Sequence, residues 1–172
     1  MTSGFDARMR EAATKIRAVQ PRDRAEIEDF LRASPNFTPE EADTALELID
    51  EALAGDADYL VYVLQDDQGR VVGYECHGPV PLTDGTFDLY WIAVDPSMQK
   101  RGFGRLLLRA AEEDVARRAG RLILIETSSQ PGYASTVQFY KRNGYRLEAR
   151  IHDFYHRGDD KLVFAKDIEA HV

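Results

Sequence analysis

The sequence predicts an α+β fold, with helices covering a central mixed sheet that is mostly antiparallel. Three observations carry this expectation. Runs rich in β-formers recur between turn signals at residues 59–64, 71–76 and 86–94. After Gly104 the apolar period changes to a helical one, and a short apolar run at residues 122–125 then reads as a buried parallel strand. No internal repeat, low-complexity segment or linker interrupts the pattern. Residues 13–172 therefore read as one domain, and residues 1–12 as a flexible lead-in.

The elements follow in order. Residues 16–19 suit a short strand, and Pro21 suits the first position of a helix in which Ile27, Phe30 and Leu31 recur at helical spacing. Ser34-Pro35 stops that helix. Thr38 caps a second one, with Pro39 in its first turn and Glu41 completing a capping box. Its apolar stripe is Ala42, Ala45, Leu46, Ile49 and Leu53, and Gly55 is placed to end it. Asp66-Asp67-Gln68-Gly69 forms the turn between the next two strands. Residues 78–85 carry two prolines and read as a loop before the strand at 86–94. The third helix buries Leu107, Leu108, Ala111, Val115 and Ala119, pairs Glu113 with Arg117 and Asp114 with Arg118 outside, and ends at Gly120. A fourth helix covers residues 134–142 and stops at Asn143-Gly144. Final strands at 145–154 and 161–166 flank a turn at 156–160.

Composition narrows the function without naming it. A net charge of -8 argues against general nucleic-acid binding, which needs a surplus of Lys and Arg to neutralise phosphates. No apolar run reaches the length of a membrane span, and the polar first eleven residues do not resemble a signal peptide. The lone Cys76 has no partner for an internal disulfide, so cytoplasm is the expected location.

The unit that carries chemistry is a strand followed by Gln99-Lys100-Arg101-Gly102-Phe103-Gly104 and then a helix. Glycines at 102 and 104 let the backbone turn sharply and approach a ligand. The helix that opens there offers free N–H groups and a positive dipole end, which suit a pyrophosphate. Lys100, Arg101 and Arg105 add positive charge to an acidic chain. A dinucleotide fingerprint would want a glycine where Leu107 stands, and the Gly-Lys-Ser/Thr of an ATPase phosphate loop is absent. As a bare pattern, two glycines also fit an ordinary strand-to-helix connection.

In context, these residues resemble the GNAT N-acetyltransferase superfamily, whose signature is Gln/Arg-x-x-Gly-x-Gly/Ala between a strand and a helix. The preceding strand ends Ile92-Ala93-Val94-Asp95-Pro96, a later one ends Glu126-Thr127-Ser128, and Phe139-Tyr140-Lys141-Arg142-Asn143-Gly144-Tyr145 looks like the family's helix-to-strand segment. The resemblance runs from about residue 16 to 168. It departs where the family often has Asn and Ala, here Tyr133 and Thr136, which puts one contact to the CoA arm in doubt.

The resemblance implies a sheet splayed between strands four and five, with acetyl-CoA as cosubstrate and no metal. It implies a donor site formed by Ile92, Ala93, Val94, Gln99, Lys100, Arg101, Gly102, Phe103, Gly104, Arg105, Tyr140 and Arg142. A main-chain N–H near Val94 would polarise the thioester carbonyl, and Tyr140 would protonate the departing thiolate. The acceptor would be a primary amine of a small molecule, peptide or protein, attacking directly in a ternary complex. A CoA-binding regulatory module without activity and a transferase for longer acyl groups are the alternatives. Substrate selection would fall to residues 37–53 and 154–160, and the final hairpin offers an edge for a homodimer.

The amine must lose a proton. Asp88 shares a strand face with Tyr90, Ile92 and Val94 and ranks first as base, ahead of Glu126 and Glu75. His77, His152, His156 and His171 read as surface or rim residues without a metal, and Cys76 as a buried filler. Tyr90, Trp91, Tyr133, Phe154 and Tyr155 are candidate lining for an acceptor pocket.

Overall fold

The computed structural model describes residues 14–169; the lead-in expected at 1–12, and His171, lie outside them. The elements are β1 (Lys15–Ala18), α1 (Arg24–Ala33), α2 (Pro39–Leu53), β2 (Leu60–Gln65), β3 (Val71–Pro79), β4 (Thr86–Val94), α3 (Phe103–Arg117), β5 (Leu122–Ser128), α4 (Ala134–Arg142), β6 (Arg146–His156) and β7 (Asp159–Asp167). They arrive in the order that the sequence predicts.

The strands form one sheet in the order β1-β2-β3-β4-β5-β7-β6. The pairs β1–β2, β2–β3, β5–β7 and β6–β7 are antiparallel. The β4–β5 pair is parallel, and its register covers only Thr86–Asp88 against Leu122–Leu124. Beyond Asp88 and Leu124 the two strands run on without pairing each other, which fits a splay at this point.

The chain divides into two compact units. Among the described residues, one comprises 14–77 together with Trp91–Ala111, and the other comprises Gly78–Tyr90 together with 112–169.

In the first unit β3 is buried along nearly its whole length. Helix α1 buries the predicted Ile27, Phe30 and Leu31, and α2 buries Ala42, Ala45, Leu46 and Ile49, while Leu53 at its last position is only partly covered. The predicted capping box forms: Thr38 Oγ1 accepts from the Glu41 N–H, and Glu41 Oε2 accepts from the Thr38 N–H. Leu64, Val72, Phe103 and Leu107 make a second apolar cluster, against which Ile92 and Val94 pack. Gly73 is required here by space. A Cβ on it would lie 2.9 Å from the Ala93 carbonyl oxygen and 3.0 Å from Leu107 Cδ1, so β3 can approach β4 and α3 only without a side chain.

In the second unit α4 ends on Tyr140, Asn143 and Tyr145. Tyr145 donates its hydroxyl to Glu112 Oε1 at 3.1 Å, and Lys166 Nζ donates to the same oxygen at 2.8 Å and to the Asn143 carbonyl at 3.0 Å. The β6–β7 turn is fastened to the loop before α4. Ser128 Oγ donates to Asp159 Oδ1 at 2.6 Å, Gln130 Nε2 to the Gly158 carbonyl at 2.8 Å, and the Asp160 N–H to Ser129 Oγ at 2.9 Å.

Several boundaries differ from expectation, each for a local reason. β3 continues through Gly78 and Pro79 because the Val80 N–H still finds the Thr86 carbonyl at 2.9 Å, which shortens the predicted loop. β5 runs past the apolar stretch at 122–125 to Ser128, the ending that the resemblance implies, because its ladder with β7 persists to Lys161. The final turn shrinks to Arg157-Gly158, since His156 pairs with Asp159. Ala119 is not on the buried face of α3; it adopts φ 59° past the helix end and is exposed. Arg117 turns to Asp114 at 2.9 Å, where Arg118 also binds at 2.6 Å, because a buried carboxylate draws both guanidinium groups.

Candidate functional site

In the first unit β4 ends in a short connection that aims a helix terminus outward. Asp95 starts it: its N–H donates to the Val72 carbonyl at 2.9 Å, and its Oδ1 accepts from the Ser97 N–H and hydroxyl, both at 2.8 Å. Gln99 Nε2 reaches back to the Val94 carbonyl at 3.4 Å. The chain then reverses with Lys100 at φ 60° and Gly102 at φ 86°. The left-handed value explains the glycine at 102, and a Cβ there would meet no atom within 4 Å. The open side of the turn therefore has room for a ligand.

The helix begins at once. Its first intrahelical bond runs from the Leu106 N–H to the Gly102 carbonyl at 3.1 Å, so the N–H groups of Phe103, Gly104 and Arg105 have no acceptor within the helix. Helix α2 fills the equivalent position with Glu40 and Glu41, but α3 has no acidic residue in its first turn. Exposed Lys100, Arg101 and Arg105 surround it, and Phe103 is buried as the anchor beneath. Unfilled donors, a positive dipole end and three cations make an anion cradle. These residues fit the diphosphate of a CoA cosubstrate.

Three further residues of the first unit, Glu75, Cys76 and His77, are closed to solvent. Glu75 is fully buried and its Oε2 lies 2.8 Å from His77 Nδ1, while the Tyr62 ring stacks on His77 at 6.0 Å. This corrects the reading of His77 as a rim residue: β3 is a central strand, and a neighbouring carboxylate and ring satisfy the imidazole. The same burial removes Glu75 from the surface. Cys76 is buried as expected, and desolvation, then the Glu75 charge, pushes its thiol well above the ordinary value. Trp91 packs on Phe37 at 5.4 Å and is engaged there.

In the second unit the two foremost carboxylates come together. Asp88 pairs with Leu124 across β4 and β5, and Glu126 lies two residues further along the same face of β5. Asp88 is half-buried. Its carboxyl is held above the usual carboxylate range, first by burial and then by the charge of Glu126, with Lys161 pulling partly back. Glu126 Oε2 binds Lys161 Nζ at 2.7 Å.

Tyr140 sits in the last turn of α4 with 5% exposure. Its ring packs against Phe139 at 5.4 Å, Tyr145 at 5.9 Å and Phe164 at 6.2 Å. Burial alone pushes its phenol well above the ordinary value. Arg142 follows on the exposed side, and His152 and His156 are exposed on β6 as expected of rim residues. Among the described residues no group of three or more His, Cys, Asp or Glu could hold a metal ion, and no helix is long and apolar enough to cross a membrane.

The chain has counterparts among known proteins. A family model for the acetyltransferase (GNAT) domain matches residues 57–147, a stretch that includes the whole turn and Tyr140. This chain belongs to the GNAT acetyltransferase family. A crystal structure assigned to that family, from Desulfovibrio desulfuricans, superposes with a TM-score of 0.87 at 42% identity, covering 91% of this chain and 99% of that one. The yncA protein of Salmonella typhimurium, solved with its cofactor acetyl-CoA, gives a TM-score of 0.68 at 21% identity over 93% of this chain and 96% of its own. In sequence, the uncharacterized N-acetyltransferase YvbK of Bacillus subtilis is 32% identical over 85 residues, 49% of this chain and 54% of YvbK. The chain thus spans about half the length of the curated relatives it matches.

The GNAT signature was legible because its glycines and basic residues stand in one run. Lys161 was missed, since a lysine in a β-strand carries no motif. Only the register, which sets Ser128 of β5 opposite Lys161, brings it to the carboxylates.

Proposed function

We propose that this chain is an N-acetyltransferase that moves the acetyl group of acetyl-CoA to a primary amine by direct attack in a ternary complex. The observation that carries this reading is the cradle at Gln99–Gly104, where a helix opens without an acidic residue and Gly102 leaves its outer side free. Bound acetyl-CoA supplies an activated acetyl group. The N–H groups of Phe103, Gly104 and Arg105 hold its diphosphate, helped by Lys100, Arg101 and Arg105, while Gln99 braces the turn against Val94. Backbone at Ile92, Ala93 and Val94 lines the donor arm, and the N–H near Val94 donates to the carbonyl oxygen as negative charge develops there. Tyr140 donates to the departing sulfur, and Arg142 contacts the donor.

Asp88 takes the proton of the amine. It is preferred to Glu126, which is tied to Lys161, and to Glu75, which is buried beside His77. A carboxyl with a raised pKa is a better base for this step than an ordinary one. It works only when deprotonated, so kcat/KM should rise with pH through the raised value and fall away below it. Asp88→Asn should remove that rise and lower kcat/KM by roughly 10²- to 10⁴-fold. The measurement is CoA thiol release across a panel of primary amines at several pH values. Turnover on no amine despite CoA binding would refute the transferase reading. An unchanged profile in Asp88→Asn would move the base elsewhere.

A further inference from the structure

Lys161 lies on β7 opposite Ser128 of β5 and Ile151 of β6. Cross-strand partners project to the same face, as do residues two apart. Leu124 faces Asp88 across β4–β5, and Glu126 and Ser128 follow on the same side of β5. Asp88, Glu126 and Lys161 therefore emerge on one face from three neighbouring strands. The Lys161 ammonium is 2.7 Å from Glu126 Oε2 and 3.8 Å from the centre of the Phe154 ring, and its side chain is 13% exposed. A ring and a carboxylate thus fix a normally flexible ammonium in one place.

We propose that Lys161 is a positioning residue, whose ammonium ties down Glu126 so that Asp88 alone is left to accept the proton of the amine. This rests on the reading of Asp88 as the base. The Glu126 charge disfavours the ionised form of Asp88, and the Lys161 ammonium, held by Phe154, offsets that repulsion. A merely structural role would leave the Asp88 titration midpoint where it is, so that midpoint separates the two roles.

The charged groups that bear on Asp88 are Glu126 from β5 and Lys161 from β7. Removing Lys161 deletes an attraction that favours the ionised form and leaves the Glu126 repulsion unopposed, so the Asp88 titration midpoint should rise. The experiment is carboxyl carbon-13 NMR of aspartate-labelled protein across pH, with the Asp88 signal assigned by its loss in Asp88→Asn. In Lys161→Met the midpoint should rise by about one pH unit, while Lys161→Arg should keep the parental value. With phenethylamine, spermidine and lysine methyl ester as acceptors, kcat/KM of Lys161→Met should be about tenfold lower on the acidic side and converge on the parent at high pH. An unmoved midpoint in Lys161→Met overturns the proposal, as does an equal loss in Lys161→Met and Lys161→Arg. Failure of the base reading itself would appear separately, as a parental pH profile in Asp88→Asn.

Discussion

Replacing Gly102 with glutamate should lower the affinity for CoA by roughly a hundredfold or more. Two causes act together. Position 102 has φ 86°, where an L side chain is strained by about 1–2 kcal/mol. The side chain would also enter the open side of the turn, where the diphosphate is expected. A carboxylate about 6 Å from one phosphate charge costs about 3 kcal/mol at an intermediate dielectric, and two such charges cost more. Gly102→Asn separates the causes, because asparagine tolerates the left-handed backbone and carries no charge. It should keep most of the affinity. Titration calorimetry with CoA reads both variants, and normal binding by Gly102→Glu would end the assignment of this turn as the cradle.

Tyr140→Phe should leave CoA affinity and the unfolding temperature unchanged and lower kcat about 10²-fold. The rings of Phe139, Tyr145 and Phe164 pack against the Tyr140 ring, which phenylalanine keeps, so the core has no reason to loosen. The size of the effect follows from burial. A phenol held well above its ordinary value stays protonated throughout an assay, but giving its proton to a thiolate whose conjugate thiol has a pKa of about 8.5 is uphill. Hydrogen-bond donation to the developing charge is the cheaper service, which places the loss at the lower end for an acid catalyst. Single-turnover rates at saturating acetyl-CoA measure it. An unchanged rate would make Tyr140 a packing residue.

The sequence made the donor end legible and left the acceptor end hidden. A phosphate cradle is written in contiguous residues, Gln99 to Arg105, because a helix terminus and a tight turn are local structures. Element order was equally readable, since capping at Thr38 and the change of period after Gly104 depend on neighbours in the chain. The grouping of Asp88, Glu126 and Lys161 depends on register between strands far apart in sequence, which no local pattern encodes. His77 failed for a related reason. An isolated polar residue at a strand end gives no sign that its strand is central and that Glu75 and Tyr62 enclose it. Arg117 shows the same limit within one helix, where burial of Asp114 outweighed the exposed pairing with Glu113.

The placement of Cys76 has a practical result for anyone measuring turnover. It is the chain's single cysteine, it lies inside β3, and burial keeps its sulfur in the unreactive thiol form. A disulfide dye added during the reaction would find no competing sulfur on the folded protein. Colour would then report released coenzyme alone, and a slow later rise in colour would date the moment when the sheet opens.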